Sequence, residues 1–449
     1  MKLSSTFPEY TSFSPSISIR RVSLGDKPAI HRFYDTSPVS PSGRFVTYTE
    51  FVEDTRLPQP GDIAFVVVVD LGTGLEVYRS STIAWDTQVG AHPQWGATDH
   101  DLFFNRMSTA DWEPYGVRVD IINEVEARLD GTIYMVSRDG RHAVSPNLVR
   151  LQGIQAGYGV ITPYDRSRGG ARFPKDDGVF LVDLQTGRRR LAVSLYDIAT
   201  AFPLHFENLS NNDGELYGFH TKWSPDGLRI MFLVRWRDRS TRGNRSRNWI
   251  VTMNADGSNL QIALTPDLWR GGHHPNWCPD STHIVMNLVD RRGNRVSQKF
   301  FSAINRLSRK FGLGDMFNAA RLRFMTFRHD GSDLRVVAPS HLGSGHPTWH
   351  DGLQSILTDA YPHEPVTARD GTVPIRLISV EDDTSEELIR MNCTPRYPGP
   401  NNEWRVDPHP AWVATGGQFV MNGSPHGKRG VYLADLTSHP EHGPRLRSA

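Results

Sequence analysis

The sequence predicts an all-β protein, a seven-bladed β-propeller, and three observations lead there. A His-x-x-Trp tetrapeptide recurs along the chain, a strand–turn–strand unit fills the intervals, and the composition suits short strands joined by tight turns. The tetrapeptide reads His92-Pro-Gln-Trp95, His220-Thr-Lys-Trp223, His274-Pro-Asn-Trp277, His346-Pro-Thr-Trp349 and His409-Pro-Ala-Trp412. Successive copies lie 128, 54, 72 and 63 residues apart, and the first interval reads as two steps of one period. Each copy precedes a turn and an apolar run, as where Ser224-Pro-Asp-Gly227 leads into Ile230-Met-Phe-Leu-Val234. Two degenerate copies, Ser40-Pro-Ser-Gly43 before Phe45-Val-Thr-Tyr48 and His142-Ala-Val-Ser-Pro146, bring the total to seven. Six or eight blades stay open, because those two copies lack the tetrapeptide.

The interleaved unit is a strand, an Asp/Asn-Gly or Thr-Gly turn, then another strand. It reads Val67-Val-Val-Asp-Leu-Gly-Thr-Gly74, Phe180-Leu-Val-Asp-Leu-Gln-Thr-Gly187, Val251-Thr-Met-Asn-Ala-Asp-Gly257 and Phe324-Met-Thr-Phe-Arg-His-Asp-Gly331, with weaker versions elsewhere. Such turns join adjacent antiparallel strands. Two hairpins per unit of about 64 residues make four strands per blade. The 449 residues are therefore expected as one propeller domain, 1–449, rather than several domains. Residues 298–323 break the rhythm with helix-period apolar positions and many basic ones, predicting a short helical insertion packed on the propeller.

Composition narrows the function classes. With 50 Lys+Arg against 49 Asp+Glu and a net charge of +1, no global field attracts nucleic acid or a membrane surface, and neither is expected as a partner. Two cysteines cannot build a disulfide framework. No apolar run reaches the length of a membrane span. The first twenty residues lack the apolar stretch of a signal peptide, so the chain is expected to be cytoplasmic, or secreted if a signal has been removed. A monomer is expected.

His-Pro-x-Trp followed by Pro-Asp-Gly resembles the propellers of the TolB and oligogalacturonate lyase type. Four segments are similar to the propeller polysaccharide lyases that cleave rhamnose–glucuronate linkages, the ulvan lyases and the rhamnose–glucuronate lyase of gum arabic. They are Gly90-Ala-His-Pro-Gln-Trp-Gly96, Gln155-Ala-Gly-Tyr-Gly159, Gly271-Gly-His-His-Pro-Asn-Trp277, and Gly343-Ser-Gly-His-Pro-Thr-Trp349 with Thr358-Asp-Ala-Tyr361. The resemblance runs from about residue 35 to 430 and implies a polysaccharide lyase. Such an enzyme cleaves at a uronic acid by β-elimination, needs no organic cofactor and takes a uronate-containing polysaccharide or oligosaccharide as its partner. The chain departs from the pattern in one place, since Ala110-Asp-Trp-Glu-Pro-Tyr115 holds no second histidine.

Elimination across C4–C5 of a uronate needs a cation on the carboxylate, a base for the C5 proton and an acid for the departing O4. Arg suits the first task by bidentate pairing, and His and Tyr suit the others. The resemblance implies His92 and Tyr158 as base and acid, in an order left open, with Arg172 and Arg235 as carboxylate binders. Arg168, His205 and His220 are further candidates for contacts to substrate. A histidine repeated at one blade position also has a purely structural reading, and for His409 that is the expectation. The Trp of each copy is expected to pack between blades.

Aligning blade five on blade six superposes His274 on His346 and Cys278 on His350. These four form a candidate metal set for zinc first, with manganese or calcium as alternatives. A buried Cys278 among packed histidines would serve equally as core, and Cys393 reads as core. The competing function is a non-catalytic TolB-like propeller acting as a binding or scaffold module. A peptidase cap is not expected, since no Gly-x-Ser-x-Gly elbow follows the repeats.

Overall fold

A computed structural model of the chain describes residues 3–164, 171–209, 213–238, 247–290, 322–350, 352–362, 364–414 and 416–448. Within them the strands form seven four-stranded antiparallel sheets, the blades of a seven-bladed propeller. Blades 1 to 6 occupy residues 29–82, 94–128, 135–194, 214–264, 272–336 and 348–391. Blade 7 takes residues 411–435 and adds Ser18–Arg21, which pairs with Gly430–Asp435 as the outermost strand. The ring is thus closed by hydrogen bonds between the two ends of the chain.

The repeated turn explains how each blade folds locally. Asp70 accepts from the backbone N–H groups of Gly72 and Thr73, and Gly74 follows at φ 76°. Asp183 does the same for Gln185 and Thr186, with Gly187 again at φ 76°. The Asp side chain stands in for a backbone turn and the glycine takes the left-handed conformation that a side chain disfavours. The Trp of the tetrapeptide seals neighbouring blades. Trp95 Nε1 donates to Pro38 O (2.9 Å), and Trp277 Nε1 donates to Lys222 O (3.2 Å), each bond reaching the preceding blade.

Blade 3 differs from its sequence reading. Its innermost strand is Met135–Val136, and His142–Ser145 is the second strand. The residue that faces the axis there is accordingly Tyr134. The helical insertion expected over 298–323 falls outside the described residues up to 321, and the last two positions open the strand Leu322–Arg328. No helix among the described residues is long and apolar enough to cross a membrane.

Two sets of connections open on the same face of the ring. One joins the second strand of a blade to its third, and the other joins the outermost strand to the next blade. The short helix Leu148–Gln152 and Tyr158 lie on the first kind in blade 3, and Tyr361 on the same connection in blade 6. Arg405 and Asp407 lie between blades 6 and 7.

Candidate active site

The tetrapeptide histidines reach the axis because the inner strands bulge beside them. The pairing register slips between Gly218 and Thr221 in blade 4 and between His273 and Asn276 in blade 5. His92, His274 and His409 take φ of 58°, 60° and 50°, a left-handed conformation that histidine tolerates better than most residues. A bulge with an extra residue re-aims the side chain away from the alternating pattern of the sheet. The imidazoles therefore converge: ring centroids of His274 and His346 lie 3.8 Å apart, and those of His346 and His409 4.3 Å. His92 and His220 flank Tyr134 at 5.3 and 5.6 Å. Only 1% of His92 and 2% of His220 is exposed, so this cluster is interior.

Blade 1 supplies what fills the axis. Its inner strand is interrupted between Ile30 and Val39, and the intervening segment carries Arg32, Phe33, Tyr34 and Asp35. Lys222 Nζ sits 2.9 Å from Asp35 Oδ2 and donates to Tyr34 Oη (3.0 Å) and Pro275 O (2.9 Å). Arg32 donates to Asp35 Oδ1 at 2.8 Å. Burial pushes the Asp35 carboxyl up, but Lys222 and Arg32 outweigh it and hold the pKa down at about 2. The three groups form an ionised triad with side-chain exposure of at most 1%.

A cavity of about 340 Å³ opens beside this axis, lined among others by Leu57, Asp86, Gln152, Tyr158, Asn401 and Glu403. Tyr158 stands at its inner wall, edge-on to Phe219 at 4.9 Å and 5.9 Å from the His220 ring. Arg405 Nη2 donates to Tyr158 Oη (3.2 Å), while Arg405 Nε donates to Asp407 Oδ2 (2.8 Å). Arg235 lies with its guanidinium 4.2 Å over the Phe219 ring and donates to Gln155 Oε1 (2.9 Å). Asp86 accepts from the N–H groups of Gln88, Val89 and Gly159, and its Oδ2 lies 3.7 Å from His92 Nε2.

The structure thus brings His92, His220, Tyr158 and Arg235 into one region and leaves other candidates out. Arg172 is exposed, and its backbone carbonyl accepts from Leu216 N. Its guanidinium is not among the described groups that meet at the axis. His205 is exposed on the helix Pro203–Phe206, within the connection between blades 3 and 4. Arg168 lies outside the described residues. Sequence reasoning missed Arg405, Asp407, Asp359 and the Arg32–Asp35–Lys222 triad. The alternation Arg405-x-Asp407-x-His409 carried a usable signal, because every second residue of an extended segment faces the same way.

The candidate metal set also divides. His274 and His346 meet, but Cys278 lies in an apolar cluster with Val285, Phe324 and Ile356, and burial pushes its thiol well up, so it stays protonated. His350 packs against Trp412 at 4.6 Å. Cys278 lies four positions after His274, roughly 13 Å of extended strand, so the two cannot share an ion. The zinc expectation leaned on that thiolate and loses its support.

His346, Asp407 and His409 instead bring one ligand atom each within 4.8 Å of one another. His346 Nδ1 donates to Asp359 (2.9 Å), which leaves Nε2 as a lone pair, buried and without a partner. Both ring nitrogens of His409 are likewise buried without a partner. An imidazole oriented by a carboxylate is the usual support of a metal ligand, so these residues fit a divalent ion. His409, for which a structural role is expected from the sequence, is one of the three residues of this group. Gly345 (φ 48°) holds the neighbourhood open, because a Cβ there would sit 2.1 Å from Asp359 Oδ1.

A second group, Glu386 with His439 and His442, fails the same test. His439 Nδ1 accepts from the N–H groups of Glu441 and His442, so Nε2 carries the proton and donates to Glu386 Oε1 (2.6 Å). That imidazole has no lone pair left for an ion.

Burial depresses the pKa of His92 and His220, the latter helped by Lys222 and Arg235, and holds His31 at about 4. The unfolded chain takes up these protons near the ordinary histidine value while the folded one does not. Stability is therefore expected to be complete above about pH 6.5 and to fall below it. Each such histidine contributes a slope of up to about 1.4 kcal/mol per pH unit until its folded pKa is reached. Urea midpoints at pH 7.5 and 5.5 measure this, and equal midpoints would contradict it.

No protein-family model matches the chain, and no curated protein sequence does. Solved structures do. An oligogalacturonate lyase in complex with manganese aligns with a TM-score of 0.60 at 13% identity, covering 98% of each chain. Oligogalacturonate lyase from Vibrio parahaemolyticus aligns with a TM-score of 0.61 at 11% identity, again over 98% of each chain. At such identities the likeness is one of fold: this chain is a seven-bladed β-propeller structurally similar to oligogalacturonate lyase over nearly its whole length.

Proposed function

We propose that the axial site carries out β-elimination at a uronic acid of a polysaccharide or oligosaccharide, giving an unsaturated uronate. The observation that carries this reading is Tyr158 at the wall of the cavity with Arg405 bonded to its hydroxyl. Arg405, steadied by Asp407, binds the carboxylate, with Arg235 close by. That pairing offsets the charge that builds up as the C5 proton leaves. Tyr158 exchanges a proton with the sugar, and His220 holds a neutral imidazole beside it because burial disfavours its charged form, as it does for His92 on the far side of Tyr134. His346, Asp407 and His409 would hold a divalent ion, whose contribution when bound is Lewis-acid neutralisation of the carboxylate. A set of imidazole and carboxylate without thiolate accommodates manganese, and the manganese complex among the structural neighbours supports that choice. Rhamnose–glucuronate linkages come first among substrates because the four similar segments include Gln155–Gly159, which carries Tyr158.

The test is incubation with ulvan, gum arabic, pectin oligomers and glucuronans, with and without added manganese, following the ultraviolet absorbance of the conjugated product. Absorbance growth on at least one substrate is expected. Glycan retention without any product would replace the lyase by a binding propeller.

A further inference from the structure

A second cavity, of about 260 Å³, lies directly beside the one at the axis. Pro58 lines both, and Glu403 lines one while its neighbour Trp404 lines the other. The wall between them is therefore the meeting of Leu57 and Pro58 with Glu403 and Trp404. These residues belong to the second-to-third-strand connection of blade 1 and the connection between blades 6 and 7, on the face that carries Tyr158.

Trp85 and Trp404 floor this second cavity. Trp85 Nε1 donates to Asp62 O and Trp404 Nε1 to Arg56 O, each at 2.7 Å. Both indole N–H groups are thus spent inside the protein, and only ring carbon is left to face the cavity. Val52 is 51% exposed and Ile63 46%, and both line the same walls. Two exposed aliphatic side chains over an indole floor form a contiguous apolar patch, which marks a ligand groove where scattered single residues would not. The one guanidinium, Arg56, is already shared. It donates to both oxygens of Asp62 (2.6 and 3.1 Å) and lies 2.7 Å from Glu53. Two carboxylates against one cation disfavour a third carboxylate there.

We propose that this cavity is a second sugar subsite, which takes an uncharged residue of the glycan by its apolar edge while the neighbouring uronate occupies the axial cavity. The inference deepens the uronate lyase reading and rests on it for the axial residue alone. A glycan laid over Pro58 places one ring in each cavity, and the two cavities ask for different chemistry. Arg405 stands at Tyr158 for a carboxylate. The second cavity offers aliphatic and aromatic carbon to C–H groups, with Arg56, Asp62 and Glu53 available to hydroxyls. A chain of uronates alone would set a carboxylate beside Asp62 and Glu53. The preferred substrate is therefore a mixed glycan in which a neutral sugar flanks the uronate. A methyl group, as in a 6-deoxy sugar, suits Val52 and Ile63 best.

The experiment is saturation-transfer NMR with methyl rhamnoside, methyl glucoside and methyl glucuronide on the wild type, Val52→Asp, Ile63→Asp and Arg405→Lys, followed by kinetics on a mixed glycan. The neutral glycosides should receive saturation from the wild type, most at the rhamnoside methyl, and lose it in Val52→Asp and Ile63→Asp. The glucuronide should keep its signal in those two variants and lose it in Arg405→Lys. On the mixed glycan Ile63→Asp should raise KM about tenfold, the scale of one lost apolar contact. Its kcat should change little, the mark of binding shared by ground and transition state. Both positions are half-exposed, so folding should persist, and thermal melting checks it. The subsite is overturned by a wild type that saturates neither neutral glycoside, by signals or KM unchanged in the two Asp variants, or by loss of the glucuronide signal in Ile63→Asp. A wild type that yields no product on any uronate glycan defeats the lyase reading instead, and the binding measurements still decide the subsite.

Discussion

Lys222→Met should destabilise the protein by about 3–5 kcal/mol, the cost typical of removing one partner from a buried ionic group. The side chain is fully buried and its ammonium has three oxygen partners, of which Asp35 is the charged one. Methionine fills most of the volume, so the loss reflects charge rather than packing. Asp35 would keep only Arg32 as counter-ion, within an interior where an incompletely paired carboxylate is costly. The double variant Lys222→Met/Asp35→Leu should be no more stable, because it leaves the buried Arg32 guanidinium without a counter-ion. Urea unfolding of the two variants and the wild type measures the difference. A loss below about 1 kcal/mol for Lys222→Met would mean that the triad does not hold the axis together.

Arg405→Lys should lower kcat/KM on the best uronate substrate by about 100- to 1,000-fold, the range seen when a fixed charge-stabilising donor is removed. The substitution keeps one positive charge but gives up the planar fork. Arginine uses Nε on Asp407 and Nη2 on Tyr158 simultaneously, a geometry that a single ammonium cannot reproduce. Folding should change little, because Asp407 keeps a cationic neighbour. Steady-state kinetics beside a thermal melt separates the two effects. Activity within a few-fold of wild type at unchanged stability would move the carboxylate site elsewhere, with Arg235 the next guanidinium to test.

Much of the architecture could be read from the chain before folding. The tetrapeptide predicted where inner strands lie because a propeller must place the same chemistry at the same depth in every blade. The Asp/Asn-Gly and Thr-Gly signals predicted hairpins because the residues around them make the turn locally. Blade 3 escaped that logic: Tyr134 does what histidine does in other blades, and a pattern built on histidine placed the repeat one strand too late. The metal set failed for a related reason. Superposing His274 on His346 and Cys278 on His350 correctly placed equivalent positions, but equivalence along a strand is not proximity. Cys278 is four residues down its strand from the axis and packs against aliphatic neighbours.

Single residues of the site were legible where a motif framed them, as with Tyr158 between two glycines and the histidines of the tetrapeptide. Arg405 and Asp359 were not assigned to the site, because each lies on a connection whose chemistry depends on which blades face each other across the ring. Arg405 reaches Tyr158 across 247 residues, and Asp359 meets the backbone of His409 across 50. The sequence by itself determined a propeller with a histidine-rich axis, since periodic chemistry and local turns are written in consecutive residues. Only the tertiary structure decided which of those histidines keep a free lone pair, which arginine meets the phenol, and which ions fill the axis. Closing the ring brings distant segments together, and the partner each polar group finds there depends on side chains that no local pattern pairs.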